Sequence, residues 1–222
     1  MKNYAFYSLY LGAVVFRLGL PHLSTGRLPK RVAHPKKERL VIQTQKARDT
    51  VTLGAGCFWC TQAVFEALKG VKSVVSGFSG GRVKNPSYRE VLSGKTGHAE
   101  VANIVYDPTV ISFTELLDVF WQLHDPTTVN RQGADVGTQY RSAIFYRDAV
   151  QKRCAEESLR KAQKHLDKPI VTEIVPFEAF YPAEAEHQAY YRLHSQAPYC
   201  QAVIRPKLTK VAKRYKAYVK DQ

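Results

Sequence analysis

The run Gly56-Cys57-Phe58-Trp59-Cys60 sets a thiol behind Gly54 and Gly56, where a β-branched stretch ends and apolar residues at helical spacing begin. A thiol in the first turn of a helix faces the positive end of the helix dipole, which favours the thiolate, the nucleophilic form. Phe58 and Trp59 offer an apolar wall suited to a methyl or thioether group. Taken alone, a C-x-x-C after a strand admits three readings: a thioredoxin-like redox pair, half of a zinc site, or two buried small residues. The chain has no second C-x-x-C, which weakens the zinc reading, and the bulky Phe-Trp insertion fits a substrate pocket better than the small pair of a thioredoxin-like motif. His98, His124 and His194 show no metal-ligand spacing with the cysteines, so neither a metal nor a cofactor is expected. His187 reads as a structural histidine, and Cys154, inside a charged amphipathic segment, as a packing residue.

The elements that must hold these residues follow from periodicity and turn chemistry. Asp49 to Leu53 reads as a strand and Cys57 to Leu68 as a helix, which puts Cys57 at a strand-to-helix junction. Val71 to Phe78 is a second strand; Asn85-Pro86-Ser87-Tyr88 turns into a short helix through Leu92. Ala99 to Tyr106 is a strand. Ser112, with Glu115 three residues on, forms a capping box for an amphipathic helix over Phe113 to Leu123. His124 to Tyr140 is a long polar loop of the kind that carries function. Ser142 to Tyr146 and Ile170 to Val175 are strands flanking a helix, Ala149 to Leu166. Ala183 to His194 reads as a short helix, and Gln196 to Pro206, with Pro198-Tyr199-Cys200, as a mobile segment. Irregular interleaving of short strands and helices favours α+β with a mixed sheet over a doubly wound parallel fold.

The 222 residues suffice for one sizeable domain, and four cysteines do not make a disulfide scaffold. Lys and Arg outnumber Asp and Glu by 33 to 19, a net charge of +14, concentrated in Arg27 to Arg48 and Lys207 to Lys220. Without a recognition motif this reads as solvated basic segments, not as a nucleic-acid interface. Three parts are expected: an N-terminal extension over 1–48, a catalytic domain over 49–208, and a basic C-terminal tail over 209–222. Tyr4 to Phe16 is apolar and about as long as a signal-peptide core, but no clean small-x-small cleavage site follows it. The expected location is therefore the cytoplasm, or the periplasm or envelope if this segment is a signal or anchor.

Read in order, several motifs resemble the A-class peptide methionine sulfoxide reductases. They are Gly56-Cys57-Phe58-Trp59, Gly77-Phe78-Ser79-Gly80-Gly81, Asn85-Pro86-Ser87-Tyr88, Gly97-His98-Ala99-Glu100, His124-Asp125-Pro126, and Asp135 through Ser142. Tyr181-Pro182-Ala183-Glu184 and His187-Gln188 continue the likeness, which runs from about Val51 to about Leu208. The resemblance implies a ferredoxin-like two-layer α/β sandwich with a mixed, largely antiparallel sheet. It also implies reduction of methionine (S)-sulfoxide, free or in peptides and oxidised proteins, by a monomer that thioredoxin recycles. By position, Cys57 resembles the family's attacking cysteine, Glu100 its acid, and Tyr88 and Tyr140 the hydroxyls on the sulfoxide oxygen. Phe58 and Trp59 match the pocket around the substrate methyl, and Asp135 an acid that orients groups or water there. Two cysteines compete to resolve the sulfenic acid: Cys60, three residues on, and Cys200, which a mobile segment could swing in without straining a helix and which is preferred. A general thiol-disulfide oxidoreductase, in which Glu100 is dispensable, is the alternative enzyme. A basic binding module on a decayed enzyme fold is the alternative of another class, and the intact motifs speak against it.

Overall fold

Strand β1 (Asp49–Ala55) runs directly into helix α1 (Phe58–Glu66), and the chain returns through β2 (Val71–Ser79). The computed structural model describes residues 47–220, so nearly all of the expected N-terminal extension lies outside the described residues. After β2 come helix α2 (Tyr88–Leu92), β3 (Ala99–Tyr106), α3 (Phe113–Leu123), the two-residue strands β4 (Arg131–Gln132) and β5 (Asp135–Val136), and β6 (Ser142–Tyr146). Helix α4 (Ala149–Gln163), β7 (Glu173–Pro176), β8 (Phe180–Pro182), α5 (Tyr190–Leu193) and α6 (Arg205–Arg214) complete the chain. Six strands form one sheet in the order β7-β6-β1-β3-β2-β8. Only β6 and β7 pair in parallel; the other neighbours are antiparallel. The chain is thus α+β with a mixed, largely antiparallel sheet.

Alternation decides which face each strand residue takes. Val51, Leu53 and Ala55 of β1, Ala102, Ile104 and Tyr106 of β3, and Ile144 of β6 pack with Val64 and Phe65 of α1, Leu116 and Phe120 of α3, and Ala155 of α4. Ala99 and Val101 of β3 and Ala143 and Phe145 of β6 fall on the opposite face, with Val175 and Phe180. Glu100 shares the parity of Ala102 and Ile104, so the period of two sends a carboxyl toward the helix layer at the β3 end where α1 begins.

Several boundaries match the sequence expectation and several do not. The Ser112–Glu115 capping box forms with both bonds, and Ser87–Glu90 makes a second one at α2. The segment 183–194 is not one helix: a 3-10 turn (Ala185–His187) and the four-residue α5 are separated by Ala189, which is left-handed at φ 53°. That break is held because Ala189 N donates to Gln62 Oε1 and the Gln188 amide pairs with the Ser76 backbone. Residues 196–206, expected to be mobile, form a π-helical turn (Cys200–Ile204) that feeds α6. Residues 209–220, expected as a tail, pack on the domain: Val211 is buried, Tyr218 Oη donates to Glu115 Oε1 and Lys220 N donates to Ala67 O. Leu208, Val211, Tyr215 and Tyr218 fall on one helical stripe, and burying that stripe outweighs the solvation of the lysines between them. Among the described residues no helix is long and apolar enough to cross a membrane.

Candidate active site

Cys57 is the N-cap of α1 and follows Gly56, whose φ of +84° makes the sharp turn out of β1. A Cβ at Gly56 would sit 2.6 Å from Gln132 Cγ, so glycine is needed both for the turn and for the approach of the β4 strand. Gln132 clamps that approach by accepting from Asp125 N and donating to Asp125 O. The long loop expected to be functional therefore lies against the turn that carries the thiol.

Glu100, 1% exposed, accepts a 3.0 Å hydrogen bond at Oε2 from Phe58 N in the first turn of α1. Burial, reinforced by the nearby Cys57 sulfur, pushes its carboxyl well above the ordinary carboxylate range. Burial therefore favours the protonated form of this acid. Its other oxygen, Oε1, is buried without a partner. Among the described residues the remaining buried side-chain atoms in that condition are Trp59 Nε1, Gln139 Oε1 and His187 Nδ1. All of them flank the same site, and such atoms in a native fold call for an explanation.

Tyr88 and Tyr140 approach Glu100 from different elements. Burial, with the Glu100 charge next, raises both phenols above their ordinary range, so both are hydrogen-bond donors. Glu184 Oε1 holds Tyr88 N at 2.9 Å, and Arg141 anchors the Tyr140 turn by donating to Thr138 O and Gly97 O and pairing with Glu173. Phe58 is fully buried beside Phe78 (5.8 Å between ring centroids) and stacks on Tyr88 (5.9 Å). Trp59 is half-buried, stacked on Tyr190 at 3.8 Å with Tyr199 on its edge. His187 lies centrally, its ring 4.1 Å from Tyr88, which sequence reading as a structural histidine did not indicate.

Three cysteines meet in one buried cluster. Cys57 is 6% exposed and Cys60 and Cys200 are fully buried, packed together with Ala63, Ile204, Trp59 and Tyr199. All are free thiols. Cys200 thus packs in the same cluster as Cys57, because the π-helical turn that carries it docks on α1. Burial, then the hydrogen bond and charge of Cys60, push the Cys57 thiol well above the ordinary range, against the Tyr199 hydroxyl and the Cys60 backbone amide. Burial thus opposes the thiolate that the helix end was expected to favour. The hydrogen bond from Cys57 lowers Cys60, helped by the Lys207 ammonium. Asp135, expected to orient groups in the site, accepts a 3.0 Å hydrogen bond from Tyr199 Oη and so ties the Cys200 turn to β5. Sequence reading did not single out Tyr199, Lys207 or Gln132; the only signal was their nearness in sequence to Cys200 or to the polar loop. Cys154 packs against the main core, away from this cluster, and the described residues contain no group of three or more His, Cys, Asp or Glu that could hold a metal.

The arrangement is a buried thiol, a buried carboxyl with a raised pKa and one free oxygen, two phenol donors and an aromatic floor. It can attack an electrophilic sulfur while protonating the oxygen that leaves.

Comparison with known proteins agrees with this chemistry. The family model for peptide methionine sulfoxide reductase matches residues 49–219. A peptide methionine sulfoxide reductase MsrA of Sulfolobus acidocaldarius is 54% identical over 167 residues, 75% of this chain and 95% of that protein. One from Thermus thermophilus is 48% identical over 172 residues, 78% of this chain and 98% of that protein. Reduced Mxr1 from Saccharomyces cerevisiae superposes with a TM-score of 0.66 at 34% identity, covering 69% of this chain and 90% of its own. Methionine sulfoxide reductase A of Corynebacterium diphtheriae gives 0.62 at 37% identity, covering 68% of this chain and 77% of its own. The match extends across the sheet, the cysteine turn and the C-terminal helix, and the chain belongs to the peptide methionine sulfoxide reductase family.

Proposed function

We propose that this chain reduces methionine (S)-sulfoxide, free or in oxidised proteins and peptides, by direct attack of Cys57 on the sulfoxide sulfur. The observation that carries the reading is Glu100: a buried acid whose protonated form burial favours, anchored through one oxygen at the first turn of the nucleophile's helix, with the other oxygen free. Tyr88 and Tyr140 hold the sulfoxide oxygen, and Phe58 and Trp59 line the methyl group. As the Cys57 sulfur bonds to the sulfoxide sulfur, Glu100 gives its proton to the oxygen, and the thiol proton of Cys57 replaces it on Glu100. The protonated oxygen then passes from the substrate sulfur to the Cys57 sulfur as the bond between the two sulfurs breaks; methionine departs with the electron pair and Cys57 is left as a sulfenic acid, so the substrate gains the two electrons that Cys57 loses.

Cys200 then attacks the sulfenic sulfur, water leaves, and a Cys57–Cys200 disulfide remains for thioredoxin to reduce. Packing of Cys200 in the same buried cluster supports this order. The hydrogen bond between the Cys57 and Cys60 thiols favours a second reading, in which Cys60 closes the first disulfide and Cys200 exchanges with it. Asp135 positions the Cys200 turn through Tyr199. The order β6-β1-β3-β2, with α1 and α3 as its two crossovers, supports describing the centre of the domain as a ferredoxin-like two-layer sandwich.

Glu100→Gln tests the reading against general thiol-disulfide exchange. The expected result is a fall of about 10²–10⁴-fold in single-turnover methionine formation, with disulfide exchange on a small aromatic disulfide nearly unchanged. Equal loss of both activities, or of neither, would favour the exchange enzyme.

A further inference from the structure

A groove of about 880 Å³ lies not at the nucleophile but behind it, between the end of α1, the Ser195-Gln196 turn and α6. Its floor includes Tyr191, Leu208 and Val211, and its rim carries Arg205, Lys213 and Lys216. All three cations are exposed and form no ion pair among the described residues, whereas Arg205 donates to Gln201 Oε1, on the residue next to Cys200. Tyr191 and Leu208 also pack against the cluster of Cys57, Cys60 and Cys200, so the groove and the thiols share walls. Ser195, Gln196 and Gln201 line the groove on both sides of Cys200 in sequence, and Gln201 Nε2 donates to Ser195 O at 2.6 Å to join them.

From this we infer that the groove is the docking surface for an acidic dithiol protein, the reductant that opens the disulfide at Cys200. The inference rests on the proposed catalytic cycle and adds to it a place and a charge. An apolar floor inside a cationic rim fits a partner surface with an apolar centre and carboxylates around it. The chain's own Arg27 to Arg48 segment has the wrong sign to fill it. A partner seated there touches the turn that carries Cys200. One of its thiolates attacks Cys200 Sγ of the Cys57–Cys200 disulfide, forming a mixed disulfide and releasing Cys57 as a thiolate. Its second thiol then attacks the partner's own sulfur and releases Cys200, so two electrons pass from the dithiol to the enzyme.

The test is Lys213→Glu/Lys216→Glu in the full chain, both sites being exposed and away from the reacting groups. Turnover of an N-blocked methionine sulfoxide is driven either by thioredoxin, an acidic one being the probe, or by dithiothreitol. The expected result is a rise of about tenfold or more in KM for thioredoxin, a gap that added salt narrows by raising the wild-type KM, with dithiothreitol-driven kcat and the KM for the sulfoxide unchanged. An unchanged KM for thioredoxin would overturn the docking surface. A raised KM for oxidised peptides instead would assign the groove to substrate and overturn it too. Failure of wild-type turnover with dithiothreitol would count against the catalytic reading, not the groove.

Discussion

At the scale of single residues, the chemistry turns on a carboxyl whose acid form burial favours. Glu100 is raised by burial and by Cys57, so its acid form persists above the ordinary carboxylate range and is lost as pH rises through the elevated value. Single-turnover sulfoxide reduction should therefore persist above the ordinary carboxylate range and fall as pH rises through the elevated value, and Glu100→Gln should lose that limb along with the rate. The same shift has a stability consequence of definite sign. In the folded chain Glu100 binds its proton more tightly than when unfolded, so stability is fully present below the ordinary carboxylate range and declines as pH climbs toward the raised value. Glu100→Gln removes that decline: its melting temperature should gain on the wild type at pH 8 and scarcely at pH 4, by roughly 2–4 °C per kcal/mol recovered. An equal shift at both pH values would show that Glu100 is not held neutral by the fold.

At the scale of elements the site depends on how β1 ends and α1 starts. Gly56 combines a left-handed backbone with contact against Gln132, so Gly56→Ala should cost about 1–3 kcal/mol in denaturant unfolding and lower kcat/KM by displacing Cys57. Loss of stability without loss of activity would mean the turn does not set the thiol. Local signals made much of this level readable in the sequence: the strand over Ala99 to Tyr106, the Ser112–Glu115 box and helix over Phe113 to Leu123, and the strand over Ser142 to Tyr146 stand where periodicity put them. The motifs around Cys57, Tyr88, Glu100 and Tyr140 also come together in space, as the resemblance implied. What escaped depends on distant partners. Strand β8 is only Phe180–Pro182 and exists because it pairs with Gly77–Ser79 of β2. The break at Ala189 answers to Gln62, 127 residues away, and Tyr199 to Asp135, 64 residues away.

Across the whole molecule, the C-terminal helix closes the main core and also roofs the cysteines. Val211, Tyr215, Tyr218 and Val219 pack on the core, while Ile204 and Leu208 pack on the Cys57 cluster. Full burial of Val211 contributes about 1.5–3 kcal/mol and the half-buried Tyr215, Tyr218 and Val219 each add part of such an amount, so a chain ending at Leu208 should lose much of its stability and melt far lower, although Cys57, Cys60 and Cys200 are all retained. A truncated chain with wild-type melting would make residues 209–220 the solvated tail that their charge suggested. The high lysine content of this stretch hid its apolar stripe, which is legible only when Leu208, Val211, Tyr215 and Tyr218 are read at helical spacing. The central claim, that this fold reduces one sulfoxide epimer through Cys57, meets its most direct test in dithiothreitol-driven turnover of separated (S) and (R) epimers of an N-blocked methionine sulfoxide, with Cys57→Ser alongside. Turnover of the (S) epimer alone, abolished in Cys57→Ser, is the expected result; turnover of neither epimer, or activity that survives Cys57→Ser, would contradict it.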